Sequence, residues 1–159
     1  MKVAITGHRP GRLTYPNLSF TISKEWRKVI NWLKDKFVEE NVTDVYCGMA
    51  EGCDIAAGIA VSELKSEHYP IKLHCILPCK NYNNRIRWHH ILKADADEWV
   101  ELSENFYMGC DNIRDQYMVD HCDKLIAILD GITSGGVWST IRKAEKKDKE
   151  IIYYPKEEL

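Results

Sequence analysis

Three glycine-rich segments contain the residue types that could bind an anion. Residues 7–12 read GHRPGR, residues 48–54 read GMAEGCD and residues 130–140 read DGITSGGVWST. Glycine lets the backbone approach a ligand closely, and the N–H groups at the start of a helix attract negative charge. The segments therefore predict phosphate or carboxylate binding, with a solvated surface turn as the alternative for the first. Asp54 would hydrogen-bond a ribose hydroxyl or complement the positive end of its own helix.

Neither of the two common nucleotide-binding motifs is present. The third segment lacks the Gly-Lys-Ser/Thr sequence of a P-loop, and Gly7 and Gly11 are too few and wrongly spaced for the dinucleotide fingerprint. The sequence therefore disfavours P-loop hydrolysis of ATP or GTP and disfavours NAD as a redox cofactor. We expect no cofactor and no metal.

The elements that must position these segments are repeated strand–helix units, because short apolar runs alternate with stretches of helical period. Six strands are predicted, at Lys2–Thr6, Thr43–Cys47, Ile71–Leu77, Trp99–Leu102, Lys124–Leu129 and Ile151–Tyr154. The strand at 124–129 has no polar alternation, so helices should cover both of its faces. We expect a Rossmann-like three-layer α/β/α fold with a mainly parallel sheet of five or six strands.

Five amphipathic helices are predicted between the strands, because apolar residues recur at three- and four-residue steps. Ser23 is the expected N-cap of the first helix. In an open parallel sheet, ligands bind beyond the carboxyl ends of the strands. The three glycine-rich segments should therefore meet at one edge. The predicted apolar faces are Trp26, Val29, Ile30, Leu33 and Phe37; Ile55, Ile59, Ala60 and Leu64; residues 86–94; Ile113, Tyr117 and Met118; and Val137, Ile141 and Ala144.

The composition is that of a globular protein and disfavours a protein that coats nucleic acid. The 159 residues include 22 Lys or Arg and 24 Asp or Glu, for a net charge of −2. They should form one domain over residues 1–159. Proteins that coat nucleic acid normally carry a strong basic excess. The six cysteines are expected to be free buried thiols, and without a signal or membrane-length apolar run we expect a cytoplasmic protein with no membrane partner.

Five motifs in order resemble the YpsA-like family of the SLOG superfamily. They are TGHRP at 6–10, GMAEGCD at 48–54, ILPC at 76–79, RDQYMVD at 114–120 and DGITSGG at 130–136. The superfamily is named after the Smf/DprA proteins, which bind single-stranded DNA, and the Lonely Guy enzymes, which are phosphoribohydrolases. The resemblance covers nearly the whole chain and implies a Rossmann-like sheet whose glycine-rich loops hold a nucleotide or a nucleotide derivative. Dimers are common in the superfamily, so a homodimer is expected.

Individual residues carry the resemblance to different members of the superfamily. Gly48, Gly52 and Asp54 match an element shared with the DprA side, and the Gly-Gly at 135–136 matches the phosphate loop. Arg114 and Met118 resemble the Arg-x-x-x-Met of the helix that brings an arginine to the substrate of the phosphoribohydrolases.

One departure weakens the implied hydrolase activity. Arg142 stands where the phosphoribohydrolases have a glutamate that supports cleavage of the N-glycosidic bond. A carboxylate stabilises the positive charge that grows on the sugar, whereas an arginine opposes it. Asp120, Asp123 and Glu51 are candidate replacements, although the sequence does not bring them to the sugar.

Several other residues with reactive or charged side chains have a structural role as the alternative. Residues 83–90 (NNRIRWHH) form a basic and aromatic patch that would stack a base or pair with phosphate. In the favoured alternative, Trp88 and Ile91 face the core and the arginines point to water. Lys80 is the better contact candidate. Cys79 is more consistent with a core thiol than with a nucleophile. His89, His90, His121, Cys122 and Asp123 match no zinc spacing.

The sequence as a whole predicts a protein that binds an ADP-ribose-like ligand or a nucleoside monophosphate, for sensing or regulation. The alternative is a phosphoribohydrolase that cleaves nucleoside monophosphates, with Arg114 and Asp120 as catalytic residues. The second alternative is DprA-like binding of single-stranded DNA, which the composition disfavours. The predicted ligand-binding residues are Gly7, His8, Arg9, Gly48, Gly52, Asp54, Lys80, Arg114, Gly131, Gly135, Gly136, Ser139 and Thr140.

Overall fold

The computed structural model describes residues 1–7, 22–129 and 135–155, and strands and helices alternate strictly along them. Each predicted strand is found, and no strand boundary differs from the prediction by more than one residue. The strands are β1 (Lys2–Gly7), β2 (Asp44–Cys47), β3 (Lys72–Leu77), β4 (Glu98–Glu101), β5 (Lys124–Ile128) and β6 (Glu150–Tyr153). The helices are α1 (Lys24–Glu39), α2 (Cys53–Ser66), α3 (Arg87–Asp95), α4 (Cys110–His121) and α5 (Gly135–Lys146).

The six strands form one parallel sheet in the order β4-β3-β2-β1-β5-β6. The chain adds β2, β3 and β4 on one side of β1 and then crosses to place β5 and β6 on the other side. The strand order therefore reverses between β1 and β5, where Gly7 pairs with Ile128 at the carboxyl ends. Such a reversal is where open α/β sheets bind ligands. The predicted α/β fold is confirmed, and β5 lies inside the sheet.

Helices cover both faces of the sheet and enclose two apolar cores. One core joins α1, α2 and α3 to the sheet, and the other joins α4 and α5 to the opposite face. Ser23 caps α1 as predicted, because its Oγ accepts a hydrogen bond from the backbone N–H of Trp26 at 3.3 Å. All five residues of the predicted apolar face of α1 are buried. Small side chains let α2 lie close to the sheet, and every residue from Cys53 to Val61 is buried.

The apolar face predicted for α4 is wrong at Ile113, whose side chain is 55% exposed. The buried face of α4 instead contains Cys110, Arg114 and Met118, which follow each other at four-residue steps. Because the buried residue at position 114 is an arginine, the spacing of apolar residues alone predicts the wrong buried face for α4. Tyr117 is half-buried and packs against the same core.

All six cysteines are free and buried, as predicted. Burial raises the pKa of Cys75 to about 12 and the pKa of Cys122 to about 11. Burial also raises the pKa of Cys79. A nucleophilic cysteine needs the thiolate form. The structure therefore favours the core role over the nucleophilic role for Cys79.

Candidate functional site

A cavity of about 330 Å³ opens at the carboxyl edge of the sheet, where β1 and β5 end. Strand β1, the loop after β2, the first turn of α2 and helices α4 and α5 all contribute to its wall. The described residues that line it are Ile5, Thr6, Gly7, Ala50, Asp54, Asp111, Arg114, Asp115, Met118, Gly135, Gly136, Val137 and Thr140. We call it the edge pocket.

Arg114 is the buried cation of the edge pocket, with only 7% of its surface exposed. Its Nη1 donates to the carbonyl of Gly48 at 2.6 Å, and its Nε donates to Asp115 Oδ1 at 2.7 Å. The guanidinium also lies 5.8 Å from the ring centre of Tyr82. Burial opposes the charge, but the carboxylates of Asp115 and Asp54 outweigh it and raise the pKa of Arg114 above its usual value. Arg114 is therefore charged at neutral pH, and its remaining N–H groups can face a ligand.

Gly48 lets the arginine approach the backbone this closely. A Cβ atom built on Gly48 would lie 3.0 Å from Cδ, Nε and Cζ of Arg114. The guanidinium thus packs directly on the Gly48 backbone, and a larger residue would push it away from the carbonyl that it binds. The close packing of Arg114 on this backbone gives a physical reason for a glycine at position 48, where the sequence matches the element shared with the DprA side of the superfamily.

Side chains hold three consecutive residues of the loop after β2. Arg114 binds the carbonyl of Gly48, His89 Nε2 donates to the carbonyl of Met49 at 2.8 Å, and Asp54 Oδ2 accepts from the N–H of Ala50 at 3.1 Å. Met49 has a φ of +61°, in the left-handed region that costs a non-glycine residue free energy. The three hydrogen bonds offset this strain and hold the loop whose residue Ala50 lines the edge pocket.

His89 is a buried structural histidine at 2% exposure. Because Nε2 carries the proton that is donated to the carbonyl of Met49, Nδ1 of the neutral ring is unprotonated and can only accept a hydrogen bond. Nδ1 is buried and has no hydrogen-bond partner among the described residues. Burial lowers the pKa of His89. In the described part of the chain, no group of three or more His, Cys, Asp or Glu side chains is placed to hold a metal ion.

Two helices, α2 and α5, begin at the edge pocket; the first residues of α2 are buried, whereas Gly135 and Gly136 at the start of α5 are exposed. Gly52, the N-cap of α2, has φ 104° and ψ −119°, a conformation that a residue with a Cβ rarely adopts. A Cβ atom at Gly135 or Gly136 would meet no heavy atom within 4 Å outside the chain neighbours and the α5 backbone, so the described residues leave the space next to the start of α5 open. Thr140 Oγ1 donates to the carbonyl of Gly136 at 3.0 Å, so its hydroxyl hydrogen is used within α5.

The charges that line the edge pocket are unevenly placed. Three carboxylates, those of Asp54, Asp111 and Asp115, lie with one arginine in its wall. Two of these carboxylates, together with Arg114, come from α4, whereas the α5 residues in the wall carry no charge. One side of the pocket therefore suits hydroxyl donors, and among the described residues the α5 side offers backbone and neutral groups to an anion.

The structure brings six of the predicted site residues into the wall of the edge pocket, namely Gly7, Asp54, Arg114, Gly135, Gly136 and Thr140. Gly48 and Gly52 lie just behind it, at the Arg114 contact and at the start of α2. Ser139 lines a separate groove on α5. Lys80 is exposed and does not line the edge pocket. His8, Arg9 and Gly131 lie outside the described residues.

The acids proposed to replace the missing glutamate do not line the edge pocket. Asp120 accepts from Gln116 and lies 3.8 Å from Lys147. Asp123 accepts from the N–H of Lys2, at the opposite end of β1 from the pocket. Glu51 is half-buried in the turn before α2 and is not in the wall.

Sequence reasoning missed two carboxylates that the pocket contains. Asp111, Arg114, Asp115 and Met118 are spaced i, i+3, i+4 and i+7, which places them on one face of a helix. If the side chain of Arg114 faces the ligand, this spacing places Asp111 and Asp115 on the same face of α4, toward the ligand. No comparable local signal links His89 to Met49, because the two residues are 40 positions apart.

The basic patch at 83–90 takes the structural role that sequence analysis favoured, except at Ile91: this residue is 39% exposed, because α3 turns His89 and Leu92 toward the core instead. Trp88 packs against the core of the α1–α3 face, and Arg85 and Arg87 are exposed. No helix in the described ranges is long and apolar enough to cross a membrane.

Comparisons with known proteins agree with this architecture. The chain is 26% identical over 132 residues to the uncharacterized SPbeta prophage-derived protein YoqJ of Bacillus subtilis (strain 168), a match that covers 72% of this chain and 77% of YoqJ. Its fold is similar to that of TM1055, with a TM-score of 0.60, 15% identity and coverage of 94% of this chain and 71% of TM1055.

A second solved structure with a similar fold is that of DNA processing protein A from Helicobacter pylori, which was studied for its binding of single-stranded DNA. The TM-score is 0.63 at 22% identity; the match covers 98% of this chain but only 65% of that protein. The sequence profile of the YspA SLOG family matches residues 3–156, which is nearly the whole chain. This protein therefore belongs to the YspA SLOG family.

Proposed function

We propose that the edge pocket binds a nucleotide or a nucleotide-derived ligand, such as a nucleoside monophosphate or ADP-ribose, for sensing or regulation. One observation carries the proposal. The open backbone at Gly135 and Gly136 and the buried cation of Arg114 line the same cavity, at the strand reversal of a parallel sheet. Folds of this type bind phosphate at such a place, with helix N-termini directed at the ligand.

The uneven charges suggest how such a ligand would be oriented. Three carboxylates and one arginine repel an anion on average, so the phosphate belongs on the neutral α5 side, next to Gly135 and Gly136. Asp111 and Asp115, on the α4 side, are acceptors for the hydroxyl groups of a ribose. In this orientation Arg114 lies between sugar and phosphate, and its free N–H groups can donate to either.

Gly136→Ala tests the proposal with little risk to the fold. In the described part of the chain, the added methyl group meets no atom within 4 Å outside its chain neighbours and the α5 backbone, and Gly136 lines the cavity that it would enter. Alanine within a helix stabilises it relative to glycine by about 0.5–1 kcal/mol. We therefore expect the unliganded variant to melt at the wild-type temperature or slightly above it, while ligand binding weakens.

The measurement is the thermal shift produced by AMP and by ADP-ribose. A ligand at 100 times its Kd stabilises by about 2.7 kcal/mol, or roughly 5–10 °C for a protein of this size. We expect such a shift for the wild type and a much smaller one for Gly136→Ala. Glu145→Ala, an exposed change on the same helix, is the control and should retain the full shift. Equal shifts in wild type and Gly136→Ala, or no shift in the wild type, would contradict the proposal.

A second candidate is hydrolysis of the N-glycosidic bond of a nucleoside monophosphate. Asp111 and Asp115 favour it, because they supply carboxylates to the edge pocket although Arg142 replaces the expected glutamate. Arg142 lines the separate groove on α5, so it does not oppose positive charge inside the pocket. Incubation with AMP should then release adenine, and Asp115→Asn should slow the release. The absence of free base from several monophosphates would exclude this activity.

A further inference from the structure

A second concave surface runs along α5 and meets the edge pocket at Gly135. It has a volume of about 450 Å³, and we call it the α5 groove. Its lining residues recur at three- and four-residue steps and so share one face of the helix. They are Gly135, Trp138, Ser139, Arg142, Lys143 and Lys146.

The α5 groove concentrates positive charge in a chain whose net charge is −2. Three of the described residues that line it, Arg142, Lys143 and Lys146, are cationic, and none of the described lining residues is acidic. Among the ion pairs of the described residues, none involves these three side chains. Other lysines are neutralised, as Lys124 is by Glu40 and Glu150. Within the described residues, the three cations of the groove are therefore not neutralised by a carboxylate.

Lys143 carries this charge toward the edge pocket. Its Nζ donates to Ser139 Oγ at 2.8 Å and to Asn112 Oδ1 at 3.4 Å, and both partners are neutral. The lysine is thus folded back by one turn, to the level of Ser139. At 1.5 Å rise per residue, Ser139 lies only about 4.5 Å along the axis from Gly136. The ammonium group of Lys143 is therefore held about one helical turn from the proposed phosphate position at Gly135 and Gly136.

We propose that the α5 groove binds a second phosphate group of the same ligand. This inference rests on the proposed function and names its ligand class: a nucleoside diphosphate or a diphosphate-linked nucleotide in preference to a monophosphate. The first phosphate lies at Gly135 and Gly136, and the second contacts Lys143. Arg142 and Lys146 extend the positive surface away from the pocket. Hydrogen bonds between charged groups are about twice as strong as neutral ones.

Binding of AMP and ADP, measured by isothermal titration calorimetry, tests this inference. We expect the wild type to bind ADP about tenfold more tightly than AMP. Lys143→Gln should reduce that preference to about twofold and leave the affinity for AMP unchanged. Lys147→Gln is the matched control, because it removes the same charge from a residue that pairs with Asp120 outside the groove. The control should retain the tenfold preference.

Each outcome of this titration has a separate meaning. Equal affinity for AMP and ADP in the wild type, or equal effects of Lys143→Gln and Lys147→Gln, overturns the inference and leaves the proposed function standing. Failure of both nucleotides to bind overturns the proposed function, and the inference with it. If oligothymidylate binds in a manner that depends on Lys143 while ADP shows no preference over AMP, the groove belongs to a nucleic-acid strand and the inference is wrong.

Discussion

Replacing Arg114 with methionine removes the buried cation around which the edge pocket is arranged. Methionine has a comparable length and no N–H donor, so the change keeps most of the packing. It abolishes the hydrogen bonds to the Gly48 carbonyl at 2.6 Å and to Asp115 at 2.7 Å. It also leaves Asp115, whose side chain is 13% exposed, and Asp54 without their positive neighbour.

The size of the effect follows from burial. Removing one partner of a buried ion pair costs about 3–5 kcal/mol, because the remaining charge is uncompensated. Asp115 lines the edge pocket, so water reaches its carboxylate in part, and we expect a loss near the lower limit, about 3 kcal/mol. For a protein of this size that corresponds to a decrease in melting temperature of about 6–12 °C.

Urea denaturation, followed by tryptophan fluorescence, gives the free energy of unfolding for each variant. Arg27→Met is the matched control. Arg27 Nη1 lies 2.9 Å from both carboxylate oxygens of Glu63, but the two side chains are 39% and 29% exposed. Ion pairs of this kind contribute about 0–1 kcal/mol. If both variants lose the same free energy, or if Arg114→Met loses less than about 1 kcal/mol, burial of Arg114 does not stabilise the site as argued.

Three more predictions concern other parts of the molecule. Burial lowers the pKa of His89 below its ordinary value of 6.5, so the unfolded chain binds the proton first. Stability should therefore fall as the pH falls from about 6.5 toward the folded pKa; His89→Gln, which keeps a donor for Met49, should weaken this dependence, and an unchanged pH profile would refute it. The native protein should react with no thiol reagent and should titrate six cysteines after denaturation; fast reaction of a native thiol would contradict their burial. The homodimer expected from sequence remains a prediction, and analytical ultracentrifugation should give twice the chain mass. Met108 is 92% exposed, so Met108→Glu tests whether the apolar surface at Phe106–Met108 lies in the interface. A wild type that sediments as a monomer would refute the dimer.

The order of strands and helices was predictable because each element carries its own burial pattern. The run from Leu125 to Ile128 is apolar on both faces, and Trp26 to Phe37 repeats with the period of a helix. Parallel sheets bury both faces of their inner strands, so such runs are unambiguous. The prediction failed at Ile113 because a buried arginine, held by Gly48 and Asp115, displaces the apolar stripe of α4.

The candidate site was predictable only in part, for a different reason. Glycines at helix starts and Arg114 carry a signal in residue type, and the structure places most of the described ones at the edge pocket. The contacts that fix the pocket are long-range: Arg114 to Gly48 spans 66 positions and His89 to Met49 spans 40. Nothing local in the sequence specifies these pairs, since they follow from how α3 and α4 pack on opposite faces of the sheet.

Backbone amide NMR shifts during titration with ADP test the location of ligand binding most directly. If the edge pocket is the site, the largest changes fall on Ala50, Gly135 and Gly136 and on the Nε–H signal of Arg114, and they saturate together. Changes centred on Lys80 and the segment 83–90, or no saturable change at all, would contradict the assignment of the edge pocket as a nucleotide site.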